Sequence, residues 1–309
     1  MKNVIITGAT GAIGMALIDE LRNNDVNIYA ICRSDSKRIE RIRSIEKVTV
    51  IECSLADLSK LSELIEESCD VFYHFAWENT FGAAARNDTS SQIRNIQYAV
   101  EAVKVAKKLG CKKFVGAGSQ AEFGRSNMPL SEKTPPFPEN GYGIAKLCAG
   151  QMSKIEAENQ GIDHVWTRIL SVYGPYDSCK TFVMSAIEKM LKGEIFSCTS
   201  CEQVWDYMYS KDIARAFYLI GISGSHGSVY TLGGGKATPL KDYLEIIRDT
   251  IDPTLTIGFG NLEYSDNQVM RIEADLTLLK NDTGFEPTTD FVDGIKQLVS
   301  WIKENQNEQ

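Results

Sequence analysis

An α/β architecture, a doubly wound parallel sheet with a smaller C-terminal α/β lobe, is what this sequence predicts, on three observations. Short β-branched runs alternate with longer stretches whose apolar residues recur every three or four positions. Three glycines follow the first of these runs directly. Beyond about residue 170 the alternation loosens into breaks at Gly174-Pro175, Gly233-Gly-Gly235 and Pro253.

The runs at 3–7, 26–31, 48–52, 71–75, 113–117 and 164–169 read as strands. Helices are expected between them at 13–23, 37–42, 58–67, 91–109 and 142–160. Because a crossover helix returns each strand, neighbouring strands must be parallel. The second half predicts helices at 181–192, 211–221, 240–250 and 291–304, with Pro239 suited to a first helical turn. Residues 305–309 are expected to fray.

The bulk composition excludes several classes. Of 309 residues, 43% are hydrophobic and 24% charged, which suits a folded globular chain rather than a disordered one. A net charge of -8 offers no field for nucleic acid or an anionic membrane surface. No run of about 18 apolar residues occurs, and the apolar start is too short for a signal sequence, so a cytoplasmic protein without a membrane partner is expected. The eight cysteines are scattered through apolar segments, as buried thiols of a reducing compartment would be. Cys198-Thr-Ser-Cys201 has metal or redox spacing but no second pair beside it, and no metal is expected.

Gly8, Gly11 and Gly14 join the first strand to the first helix. There they permit a tight turn, backbone approach by a pyrophosphate and close helix-to-sheet packing, with the anion on the helix N-terminus. This marks a dinucleotide site in a Rossmann-type domain, with Thr10, Ala12 and Ile13 in the same turn. Residues 1–170 are expected to form that domain, with 205–232 returning to it, and 171–204 with 233–309 to form a substrate-binding lobe. The second strand ends in Cys32 and Arg33, followed by Lys37 and Arg38, where a carboxylate would bind a ribose hydroxyl and an arginine a 2′-phosphate. That charge logic favours NADP(H) over NAD(H), with Asp35 as the counter-indication.

Tyr142 and Lys146 are four apart at a helix start, so the phenol and the ammonium share one face. A cation beside a phenol favours the phenolate and suits it to proton exchange with a hydroxyl or carbonyl. Upstream, the strand at 113–117 delivers Ser119 to its C-terminal end, where ligands of open α/β sheets bind.

The glycine turn, Ser119 and Tyr142-Gly-Ile-Ala-Lys146 follow one another as in the extended short-chain dehydrogenase/reductase family, also called the NAD-dependent epimerase/dehydratase family. The resemblance extends through His74-Phe-Ala-Trp77, Arg94-Asn95, Arg168-Ile-Leu-Ser171-Val-Tyr-Gly-Pro175, Trp205-Asp206-Tyr207 with Asp212, and Ala274-Asp275 through Pro287. It implies an oxidoreductase with Tyr142, Lys146 and Ser119 as its catalytic set. Lys146 would also bind the nicotinamide ribose, and Ser54, Leu55, Phe75 and Ala76 would line the cofactor site. A homodimer built on helices 91–109 and 142–160 is implied as well.

Three departures bear on substrate. Gln120-Ala121 replaces the Asp-Glu pair with which family dehydratases eliminate water, so a 4,6-dehydratase is not expected. Trp205 replaces a phosphate-binding arginine and Ser171 an asparagine, leaving Lys180, Lys189, Lys192 or Arg271 to meet a diphosphate, with Trp77, Gln120 and Trp205 against the substrate. Ser54 stands in place of an adenine-side Asp. The leading expectation is reduction of a keto group on a nucleotide-activated deoxysugar. A nucleotide-sugar 4-epimerase, a ketoreductase of a substrate without a nucleotide, and a non-catalytic sensor on the same fold are the alternatives.

Overall fold

Successive side chains of a strand point to opposite faces, so an unbroken apolar strand must be covered on both sides. In the computed structural model, which describes residues 1–265 and 268–305, β1 (Asn3–Thr7) sends Val4 and Ile6 into one core and Ile5 into another. β2 (Asn27–Cys32) and β3 (Val48–Glu52) extend the sheet on one side of β1. On the other side follow β4 (Val71–His74), β5 (Lys113–Ser119), β6 (Asp163–Ile169) and β7 (Val229–Leu232). All neighbours in this seven-stranded sheet are parallel. Chain order reverses between β1 and β4, which opens a crevice beyond their C-terminal ends.

On one face α1 (Ala12–Asn23) packs against the helix Ser210–Ser223; on the other, α2 (Thr89–Lys108) packs against α3 (Gly141–Gln160). α3 starts where the Asn140 side chain accepts a bond from the Gly143 N–H at 2.9 Å, and stops at left-handed Gly161. Two expected helices begin as 3-10 turns and become α-helical only in their last four residues. Residues 37–42 become the 3-10 turn Lys37–Ile39 followed by Glu40–Arg43, and 58–67 become Leu55–Lys60 followed by Leu61–Leu64. Leu58 and Leu61 are three apart, the 3-10 repeat, and Ile65 turns to extended backbone to reach the core.

Helices Phe182–Leu191, Leu240–Ile251 and Phe291–Asn305 surround a third core that holds Tyr173, Ile187, Leu244 and Leu298. The short helix Thr277–Thr283, ended by left-handed Gly284, was not expected. Asp206, fully buried, fastens the lobe by accepting bonds from the backbone N–H of Gly234 (2.5 Å), Gly235 (3.0 Å) and Ala274 (2.9 Å). Asp212 does the same for Thr288 and Thr289 at 3.0 and 2.9 Å. These bonds satisfy backbone donors that would otherwise each cost about 1–3 kcal/mol to bury. Of the tail expected to fray, Asn305 closes the last helix and 306–309 lie outside the described residues. Among the described residues no helix is long and apolar enough to cross a membrane.

Candidate active site

The first turn of α1 is built to receive an anion. Gly8 adopts φ +74°, and a Cβ there would stand 2.8 Å from the Ala76 amide, so β1 and the loop after β4 meet only because that atom is missing. Thr7 ties the same two strands together: its hydroxyl bonds His74 Nδ1 at 3.0 Å and accepts from the N–H groups of Phe75 and Ala76. No side chain caps α1 and no acid lies in its first turn, which leaves its N–H groups open. The cleft in front holds about 930 Å³, lined by Gly8, Thr10, Gly11, Arg33, Ser54, Leu55, Phe75 and Ala76 among others. That volume and the cations Arg33, Lys37 and Arg38 in its lining suit a dinucleotide. Arg33 lies 3.6 Å from Asp35 at the mouth, and Lys37 and Arg38 stand beside it. Ser54 donates to Asp57 at 2.7 Å. His74 is buried, and burial followed by the Lys146 charge holds its ring down to about 3, so it stays neutral.

An adjoining cavity of about 350 Å³ shares Gly8, Gly11, Phe75 and Trp77 and adds Ala12, Ile13, Gly14, Ser119, Tyr142 and Lys146. Ser119 ends β5 in a capping box. Its hydroxyl accepts from Ala121 N–H at 3.2 Å while Glu122 accepts from Ser119 N–H at 2.8 Å. Glu122 is fully buried and is held by Arg168 Nε at 2.9 Å and Trp166 Nε1 at 3.0 Å. α3 reaches this turn closely, since a Cβ on Gly143 would sit 2.3 Å from the Ala121 carbonyl oxygen. That approach sets half-buried Tyr142 beside Ser119. Lys146, 3% exposed, donates from Nζ to the Ala117 carbonyl at 2.6 Å and lies 3.7 Å from the Trp77 ring centre. Burial pushes its ammonium down to about 7, against the opposing Glu122 charge.

Burial raises the Tyr142 phenol, while a hydrogen bond from Ser119 and the Arg86 charge pull it back. The cation nearest the phenol ring differs from the sequence expectation: Arg86 sits 4.4 Å from the ring centre and Lys146 5.8 Å. Lys146 is drawn aside by Trp77 and the Ala117 carbonyl. Arg86 had no sequence signal, because it ends a single helical turn between β4 and α2 that no motif marks.

A third cavity, about 550 Å³, continues from the second past Thr80, Leu170 and Asp177 and is walled by Arg86, Ser171, Phe182, Trp205 and Tyr207. Trp205 Nε1 donates to Ser171 Oγ at 2.7 Å, so the two departures from the family pattern form one wall. Burial lifts the Asp177 carboxyl to about 6, although Thr181 and the Ser178 N–H bond it. Asp177 lies two residues after Tyr173-Gly-Pro175 and could have been found from that motif. Gln120, Lys180 and Arg271 line none of these three cavities. Gln120 opens the 3-10 turn, Lys180 is exposed ahead of a helix, and Arg271 is paired with Glu273. Cys198 and Cys201 are buried, and burial holds the Cys198 thiol up near 12. Among the described residues no group of three or more His, Cys, Asp or Glu could hold a metal.

The sequence model of the NAD dependent epimerase/dehydratase family matches residues 4–233. The chain is 26% identical to the CDP-abequose synthase of Salmonella typhimurium, over 96% of this chain and 97% of that one. It is 24% identical to the dTDP-4-dehydro-6-deoxyglucose reductase of Escherichia coli, over 98% of each. Among solved structures it resembles the UDP-N-acetylglucosamine 4-epimerase of Methanobrevibacter ruminantium M1, in complex with UDP-N-acetylmuramic acid. That likeness has a TM-score of 0.86 and 25% identity, and covers 98% of this chain and 99% of the other.

Proposed function

The chain belongs to the NAD dependent epimerase/dehydratase family and is an enzyme, and on that premise we propose that it reduces a keto group of a nucleotide-activated deoxysugar in the cytoplasm. The observation that carries the reading is the meeting of Tyr142, Ser119 and Lys146 in a cavity continuous with the glycine-turn cleft. The nicotinamide cofactor, when bound, supplies the hydride. Gly8, Gly11 and the open first turn of α1 would hold its pyrophosphate, and Lys146 its ribose. Tyr142 donates the proton to the carbonyl oxygen, Ser119 orients and polarises that carbonyl, and Trp77, Ser171 and Trp205 shape the substrate side. Gln120-Ala121 supplies no acid and base for elimination, which separates this reading from a dehydratase. The likeness to a reductase named for a 4-dehydro-6-deoxyglucose nucleotide supports the substrate class.

The test is consumption of NADPH with a nucleotide-linked 4-keto-6-deoxyhexose. Interconversion of two nucleotide sugars without added cofactor would instead favour the epimerase, the second reading, which the solved 4-epimerase supports. Turnover only of ketones lacking a nucleotide would remove the substrate class while leaving the chemistry.

Arg33, with Lys37 and Arg38 at the cleft mouth, favours NADPH over NADH. We expect kcat/KM to be about tenfold higher with NADPH, and Arg33→Ala to erase that ratio, since a charge-assisted bond is worth roughly 1.5–3 kcal/mol. Equal use of both cofactors by the unaltered protein overturns the preference. Ile93 on α2 and Ile144, Met152 and Ile155 on α3 are exposed, a face that suits a four-helix homodimer. Sedimentation should give twice the chain mass, and Ile155→Glu should halve it.

A further inference from the structure

Tyr142 meets, besides its own helix and Ser119, a helical turn that no motif marked. Ala83–Arg86 is entered through Gly82 at φ +84°, and its last residue lays its guanidinium 4.4 Å from the Tyr142 ring centre. The placement is fixed from both sides. Asn87 accepts a bond from the Gly141 N–H, one residue ahead of Tyr142, at 2.9 Å, and Gln92 donates to the carbonyls of Asn79 and Ala85 at 3.2 and 3.4 Å. A Cβ on Gly141 would stand 3.0 Å from the Arg86 carbonyl oxygen, so the turn and the start of α3 lie directly against each other. Arg86 also walls the third cavity, its Nε is buried without a hydrogen-bond partner, and among the described residues no carboxylate pairs with it.

We propose that Arg86 is a positioning residue for Tyr142: stacked on the ring from the substrate side, it holds the phenol toward Ser119 and keeps an unneutralised cation beside it. This rests on the reading of Tyr142 as proton donor. The charged groups facing the phenol are Arg86 from the turn, Glu122 from the 3-10 turn after β5 with Arg168 bound behind it, Lys146 from the same helix, and Asp177, which lines the same cavity. Lys146 loses its charge near neutral pH because it is buried. That leaves the Arg86 guanidinium, 4.4 Å from the ring centre, as the cation nearest the phenol.

The phenolate absorbance of the protein, less that of Tyr142→Phe, follows the ionisation of Tyr142 whether or not the substrate is known. Arg86→Gln should shift that titration upward by about one pH unit, and Arg86→Lys, which retains charge, should shift it by less than half as much. The high-pH limb of kcat for reduction, where the phenol must keep its proton, should move the same way. An unmoved titration in Arg86→Gln, or an Arg86→Lys that behaves like Arg86→Gln, overturns the proposal. A rise in KM with both titration and limb unmoved overturns it too, by making Arg86 a substrate ligand only. If Tyr142→Phe keeps full turnover, the failure lies with the assignment of the acid, and the absorbance titration still judges Arg86.

Discussion

Tyr142→Phe is expected to lower kcat for carbonyl reduction by about a thousandfold while leaving the cofactor Kd and the fold unchanged. The magnitude follows from losing one positioned general acid, which typically contributes about 10²–10⁴ in rate. The change is confined to one oxygen. The ring that remains still stacks beneath Arg86 and meets Trp77 edge-on at 6.1 Å, so the cavity keeps its shape. Removing a half-buried hydroxyl also leaves no strongly bound partner exposed, since the Ser119 hydroxyl still accepts from the Ala121 N–H. Ser119→Ala should cost less, about a hundredfold, because it weakens polarisation of the carbonyl without removing the proton. Steady-state kinetics with saturating NADPH and cofactor titration by fluorescence separate these effects. A Tyr142→Phe enzyme within tenfold of the original would move the acid elsewhere. Asp177, whose carboxyl burial lifts to about 6 and which lines the same cavity, would be next in line.

What could be read from the sequence, and what could not, divides along a physical line. β1 to β6 were legible because buried parallel strands are near-continuous apolar runs separated by crossover helices, a pattern local to each stretch. Ser119 and the Tyr142/Lys146 pair were legible for the same reason: a strand end and a four-residue helical spacing each fix a side chain's direction locally. The 3-10 starts of the stretches at 37–43 and 55–64 were not legible, because a spacing of three satisfies both a 3-10 turn and one face of an α-helix. Arg86 reaches Tyr142 through a bond between Asn87 and Gly141, 54 residues apart, which no window along the chain contains. Charge alone makes Lys180 and Arg271 candidates, yet charge in a sequence does not say what neutralises it. Glu273, two residues away, takes Arg271.

Lys146→Met carries the second large expectation, in which activity and stability move in opposite directions. On the proposed roles activity should fall at least a hundredfold, because Lys146 would hold the ribose and stands as a neighbouring charge to the phenol. Stability should rise at neutral pH. Lys146 titrates near 7 in the folded protein, lowered first by burial and only partly restored by Glu122, whereas an unfolded chain holds that proton up to roughly 10.4. Between these values the unfolded chain binds a proton that the folded protein lacks, so the stability of the unaltered protein rises with pH across that window. The destabilisation is therefore complete below about pH 7 and gone above roughly 10.4. Methionine reaches as far as the lysine Cε and carries no charge. Its gain should be on the order of 2–4 kcal/mol at pH 6–7, somewhat below the full linkage value because the Ala117 carbonyl loses its donor. Urea unfolding of both proteins at pH 6, 8 and 10 should show the gap closing as pH rises. A gap that is constant with pH, or that opens toward alkaline pH, would mean that the ammonium sits in a site that solvates it. The tension between burying this cation for chemistry and folding around it would then vanish.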